Sequence, residues 1–136
     1  MSVPGLLVNI DVSDLEKAER FYCAAFGLWA GRRFEGAVEL LGSTAPIYLL
    51  AKPAGTPATR TAPQKRDYAR HWTPVHLDFV VSDLSHAIVR ATAAGATVDK
   101  VATAHAWGRI ALLADPFGNG FCLLQFEGRG YDEIAQ

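Results

Sequence analysis

The sequence predicts an α+β protein made of two βαβββ modules. Three observations carry that reading. A strand-to-helix opening occurs twice, three short strand-like runs follow each helix, and an aperiodic segment separates the halves. Val12-Ser13-Asp14-Leu15 returns as Val81-Ser82-Asp83-Leu84, an offset of 69 positions in a chain of 136. A repeat at half the chain length is an internal duplication.

In the first copy, residues 6–27 begin with alternation and pass into a helical pattern. Ser13 is the expected N-cap, with Glu16 three residues on completing a capping box. Leu15, Ala18, Tyr22, Ala25 and Phe26 share one helical face, and Gly27 offers a left-handed stop. The second copy, residues 75–95, has its stripe at Leu84, Ala87, Ile88 and Ala91 and its stop at Gly95. Strands are expected over 28–34, 37–41 and 46–52, then over 97–103, 109–114 and 120–126. Residues 53–73, rich in Pro, Thr and Ala, read as a linker between module one (about 4–52) and module two (about 74–128) of a single domain.

Composition narrows the functional classes. Half the residues are hydrophobic and the formal net charge is −1, so no overall field favours nucleic acid or an anionic membrane. No apolar run reaches the roughly 20 residues of a membrane helix, and the N-terminus has no signal-peptide pattern. Cys23 and Cys122 form no CxxC or zinc-type cluster, and reduced thiols in a cytoplasmic protein are the expectation.

Alternation assigns the faces of each opening strand. Val8, Ile10 and Val12 in one half, and Leu77, Phe79 and Val81 in the other, form apolar faces for the helices to cover. The opposite faces carry Leu7, Asn9 and Asp11, and His76, Asp78 and Val80. Such a face is either an ordinary wet surface or the wall of a ligand site.

The doubled opening, followed by Trp107-Gly108-Arg109 and by Asp115-Pro116-Phe117-Gly118-Asn119, resembles the vicinal oxygen chelate superfamily, the glyoxalase and bleomycin-resistance group. The resemblance covers nearly the whole chain. It implies two modules whose curved sheets enclose a ligand cleft, and a homodimer. The Asp-Pro-x-Gly run is a turn signal in its own right and is expected to be structural.

Metal-using members of that superfamily hold a divalent ion with His, Gln or Glu from the first and last strands of each module. The corresponding positions here are Leu7, Tyr48, His76 and Cys122. Leu7 has no donor atom, a neutral phenol is a poor ligand, and a structural zinc site usually needs four. No metal, no other cofactor and no catalytic residue is therefore assigned.

The expected ligand-binding residues are Asn9, Tyr48, His76, Asp78, Trp107, Arg109, Cys122 and Phe126. Trp107, Tyr48 and Phe126 would supply aromatic surface, Asn9, His76 and Asp78 orientation, and Arg109 a charge for an anionic group. Each also has an ordinary reading as core, wet surface or inert thiol. The leading expectation is a metal-free binder of a small organic molecule. The alternative is an enzyme of the same superfamily (a lyase, isomerase or dioxygenase) with atypical ligands, or cofactor-free chemistry on His76 and Asp78.

Overall fold

A computed structural model describes residues 2–136. The chain divides into two compact units, one running through Tyr68 and the other starting at Ala69. In the first, β1 (Val8–Val12) leads into α1 (Leu15–Phe26), followed by β2 (Trp29–Phe34), β3 (Ala37–Leu41) and β4 (Ile47–Ala51). In the second, β5 (Leu77–Val80) leads into α2 (Leu84–Ala94), followed by β6 (Thr97–His105), β7 (Gly108–Ala114) and β8 (Gly120–Phe126). Each unit holds a four-stranded sheet, ordered β1-β4-β3-β2 and β5-β8-β7-β6, and neither sheet closes on itself. The opening strand pairs in parallel with the closing strand, so the helix acts as a crossover, and the other pairs are antiparallel.

Helix starts differ from the sequence expectation by one residue. Asp14, not Ser13, is the N-cap of α1: its backbone is extended and its Oδ1 accepts from Lys17 N at 3.0 Å. Glu16 then falls one position short of a capping box. Asp83 does the same for α2, accepting from His86 N at 3.0 Å. A carboxylate accepts more strongly than a hydroxyl and also favours the positive end of the helix dipole. The repeated Ser-Asp-Leu is therefore a repeated aspartate cap. Gly27 closes α1 in the left-handed region, with φ 68°.

Each core lies between a helix and one face of its sheet. In unit one Ala18, Phe21, Tyr22 and Ala25 pack over Val12, Val38, Leu40, Ile47 and Leu49, all buried. Phe21 replaces Phe26 as the main aromatic anchor of that stripe. In unit two Leu84 and Ala91 pack over Ala111, Leu113, Phe121 and Leu123. This periodicity matches the alternation in the sequence, and burying it supplies most of the stability.

The segment 53–73 does not behave as one linker. Residues up to Tyr68 fold onto unit one: Arg66 Nε donates to Asp11 Oδ2 at 2.6 Å, and the Tyr68 hydroxyl donates to the Lys52 carbonyl at 2.7 Å. Residues from Ala69 fold onto unit two, where His71 N donates to the Gly118 carbonyl at 3.3 Å. Beyond β8 the chain adds a short 3-10 turn, Gly130–Glu133, which sequence patterning missed because four residues carry no period.

Candidate functional site

In unit two, residue parity puts His76, Asp78, Cys122 and Leu112 on the sheet face away from α2. Asp78 pairs with Cys122 in register, and Leu112 pairs with Cys122 on the other side. His76 Nε2 stands 3.2 Å from Asp78 Oδ1. One donor atom from each of His76, Asp78 and Cys122 lies within 4.8 Å of the other two. Burial pushes the Cys122 thiol up to about 11, and the neighbouring Asp78 carboxylate adds to this by its charge and by accepting from the thiol. The thiol is thus held protonated, and its hydrogen-bond partner is the Asp78 carboxylate rather than the His76 imidazole. That is not a nucleophile's environment.

Beside this cluster is a cavity of about 170 Å³. Its walls include His76, Cys122, Leu112 and Phe121, together with Arg70, His71 and Trp72 from the segment ahead of β5. Those last three were not among the expected site residues. They lie in an aperiodic stretch, and only the fold brings it over the start of β8.

Trp107 occupies the two-residue hairpin turn between β6 and β7, where His105 pairs with Gly108. It stacks on His105 at 5.2 Å and packs against Phe126 and Tyr131, at 6.0 and 5.2 Å between ring centroids. Phe126 and Tyr131 are themselves only 4.7 Å apart. These partly exposed rings pack edge-on or tilted against one another and fasten the C-terminal turn to the sheet. Arg109 stands apart from both groups. It pairs with Gln125, donating to Gln125 Oε1 at 3.2 Å, and that same oxygen accepts from Leu84 N at the start of α2. Arg109 therefore lies on the helix side of the sheet.

Asn9 and Tyr48 are register partners in unit one. The Tyr48 hydroxyl donates to Glu39 Oε2 at 2.8 Å and accepts from Arg32 Nη2 at 2.7 Å. Arg32 also grips Glu39 through Nε at 3.2 Å and Nη2 at 2.8 Å, and its backbone N–H donates to Oε1 at 3.0 Å. Hydrogen bonds from Arg32 pull the Glu39 carboxyl down to about 2. Tyr48 is pushed above its ordinary range, chiefly by its bond to Glu39. The signal for this network was an acid inside the apolar run Ala37–Leu41.

The residues do not fit the four-ligand metal site that the resemblance implies. Leu7 offers no donor, and the Tyr48 oxygen is already bonded on both sides. His76, Asp78 and Cys122 are a separate set of three donors, too few for a closed structural site, and the thiol would have to lose its proton to join an ion there.

A glyoxalase-like domain family model matches residues 7–124. Among solved structures, the fosfomycin resistance protein of Listeria monocytogenes superposes with a TM-score of 0.73 at 16% identity, covering 99% of this chain and 100% of that one. A glyoxalase/bleomycin resistance protein/dioxygenase family enzyme from Burkholderia phytofirmans PsJN gives a TM-score of 0.71 at 20% identity, covering 89% of this chain and 97% of that one. The hypothetical protein SA1046 of S. aureus gives 0.68 at 19%, covering 92% and 95%. At these identities the structures speak for the fold. No curated protein matches in sequence. No helix among the described residues is long and apolar enough to cross a membrane. With the family match spanning most of the chain, the two βαβββ units and the doubled opening have one reading: the chain belongs to the glyoxalase-like family, within the vicinal oxygen chelate superfamily.

Proposed function

We propose that this protein binds a small organic molecule on the helix-free face of its second module, without a chelated metal. The cavity beside His76, Asp78 and Cys122 carries this reading. It combines apolar walls (Leu112 and the Trp72 ring) with a few polar groups, the pattern of a small-molecule site. At about 170 Å³ it is smaller than the roughly 300 Å³ at which drug-sized pockets begin, so it suits one ring with a substituent. Trp72, 81% exposed at its rim, offers a stacking surface nearer than Trp107.

The test is a thermal-shift screen of small aromatic compounds with and without EDTA. Compounds that bind only the native state raise the melting temperature, by an amount equivalent to about 2.7 kcal/mol at 100 times Kd. The shifts are expected to persist in EDTA and to shrink in Trp72→Ala. Shifts that vanish in EDTA and return with zinc would overturn the metal-free part.

The His76–Asp78 pair favours a second reading, cofactor-free proton transfer, because a carboxylate on one imidazole nitrogen leaves the other to act as a base. Turnover that disappears in His76→Gln while binding survives would select it.

The proposal includes a homodimer in the cytoplasm, where Cys23 and Cys122, both free thiols, stay reduced. Each sheet ends in strands with one unpaired side, and Leu6, Leu7, Val75 and Val80 beside them are exposed apolar groups. Light scattering across a dilution series is expected to give twice the 14.7 kDa chain mass. A single-chain mass at high micromolar concentration would exclude the dimer.

A further inference from the structure

We infer that Arg70 is the specificity-determining residue of the second-module cavity and that it selects a carboxylate. This rests on the proposed binding role of that cavity and adds the chemical class of its ligand.

Arg70 comes from the segment just ahead of β5; its side chain is 44% exposed, and its guanidinium is oriented by three acceptors. Nε donates to Asp99 Oδ2 on β6 at 2.7 Å, and Nη1 donates to the carbonyls of His71 and Gly118, the latter at 3.3 Å. With Nε and both hydrogens of Nη1 engaged, the two hydrogens of Nη2 remain, and no described residue accepts from them. Nη2 lies over the first residue of β8, 2.6 Å from where a Cβ on Gly120 would stand. Arg70 and Gly120 both line the cavity, with Cys122 two residues along the same strand.

A guanidinium fixed by three partners loses little freedom when it binds, and its free edge donates to an oxygen acceptor. Asp99 is its charge partner and leaves that edge open. His76, which also lines the cavity, stands with its Nε2 3.2 Å from Asp78 Oδ1, so the nearest strand carboxylate already has a partner. The apolar walls then take the body of the ligand, and Arg70 takes its acid. A small aromatic or otherwise planar carboxylic acid satisfies both.

Gly120 is the sequence counterpart of this arrangement. Its φ is outside the region reserved for glycine, so alanine fits the backbone there, and the side chain would meet only the movable end of Arg70. Gly120→Ala therefore displaces the guanidinium while keeping the fold.

The experiment uses benzoate and benzamide, which share shape and differ in charge, followed in the full chain through the backbone amide NMR signals of position 120 and of Cys122. The wild-type protein is expected to bind benzoate at least tenfold more tightly than benzamide. Arg70→Gln and Gly120→Ala should each remove that preference, bringing benzoate affinity to within about threefold of benzamide affinity in the same variant. Equal affinities in the wild type, or a tenfold preference that survives both variants, would overturn the assignment of Arg70 and leave the binding site standing. No movement of either signal with either compound would overturn the binding site itself, and the carboxylate with it.

Discussion

Replacing Asp115 with alanine is expected to destabilise the protein by about 3–4 kcal/mol, the sum of two or more hydrogen bonds to a buried charge at roughly 1.5–3 kcal/mol each, reduced for relaxation. Asp115 is 3% exposed and sits in the turn joining β7 to β8. Its Oδ1 accepts from Phe117 N at 2.8 Å and from Asn119 N at 2.9 Å, while Oδ2 accepts from Asn119 Nδ2 at 2.9 Å. Removing the carboxylate leaves the buried Phe117 N–H and the part-buried Asn119 donors without their acceptor. The turn also shapes the cavity, because the Gly118 carbonyl it presents accepts from His71 N and Arg70 Nη1. Thermal unfolding should show a melting temperature lower by roughly 10 °C, from the few degrees per kcal/mol usual at this size. Asp115→Asn, keeping the shape and one oxygen, should fall between. A loss below about 1 kcal/mol for the alanine variant, less than a single such bond contributes, would mean that the backbone alone holds the turn.

Cys122 is expected to react with iodoacetamide at neutral pH at least about tenfold more slowly than an unhindered thiol, because roughly 100-fold less thiolate is only partly offset by the greater nucleophilicity of the more basic sulfur. Its pKa is raised from 9.0 to about 11, by burial first and by the charge and hydrogen bond of Asp78 second. Its 6% exposure slows reaction further in the same direction. Asp78→Asn removes the two smaller causes and leaves burial, so the rate should rise several-fold without reaching that of a free thiol. Peptide mapping after timed labelling separates Cys122 from Cys23. A rate within about threefold of free cysteine would show that the site opens to solvent more than its geometry allows, and would return the nucleophile to consideration.

The candidate site was legible in fragments. Strand parity placed His76 and Asp78 on one face, since a period of two sets alternate residues on the same side, while His76 and Cys122 were singled out as positions implied by the family resemblance. Arg109 looked like the available cation because it follows Trp107-Gly108, but its parity matches Gln125 and the helix side, and only the register shows that. Arg70 lies in the aperiodic segment 53–73, which reads as a linker. Its neighbour Arg66 turned to Asp11 in unit one while Arg70 turned to Asp99 in unit two, and nothing in the local sequence separates them. Glu39 gave a better hint, since an acid among buried strand residues must find partners. Arg32 and Tyr48, 7 and 9 positions away, are those partners.

By itself the sequence determined the doubled βαβββ order, the strand spans to within a residue or two, the helix faces and the turn at Asp115. These follow from local periodicity, caps and turn chemistry, which act over a few residues and are written twice in this chain. The tertiary structure decided that Asp14 and Asp83, rather than the serines before them, cap the helices. It decided where the segment 53–73 divides and which charged groups meet across strands. It also decided that Trp107 and Phe126 pack with Tyr131 around the C-terminal turn, while Arg70, His71 and Trp72 wall the cavity. Apart from the two caps, whose bonds span only three residues, those outcomes depend on contacts between residues well separated in the chain, such as Arg70 with Asp99 and with the Gly118 carbonyl. A charge in an aperiodic segment has no face until the chain around it has folded, because its direction is set by the acceptors it finds there.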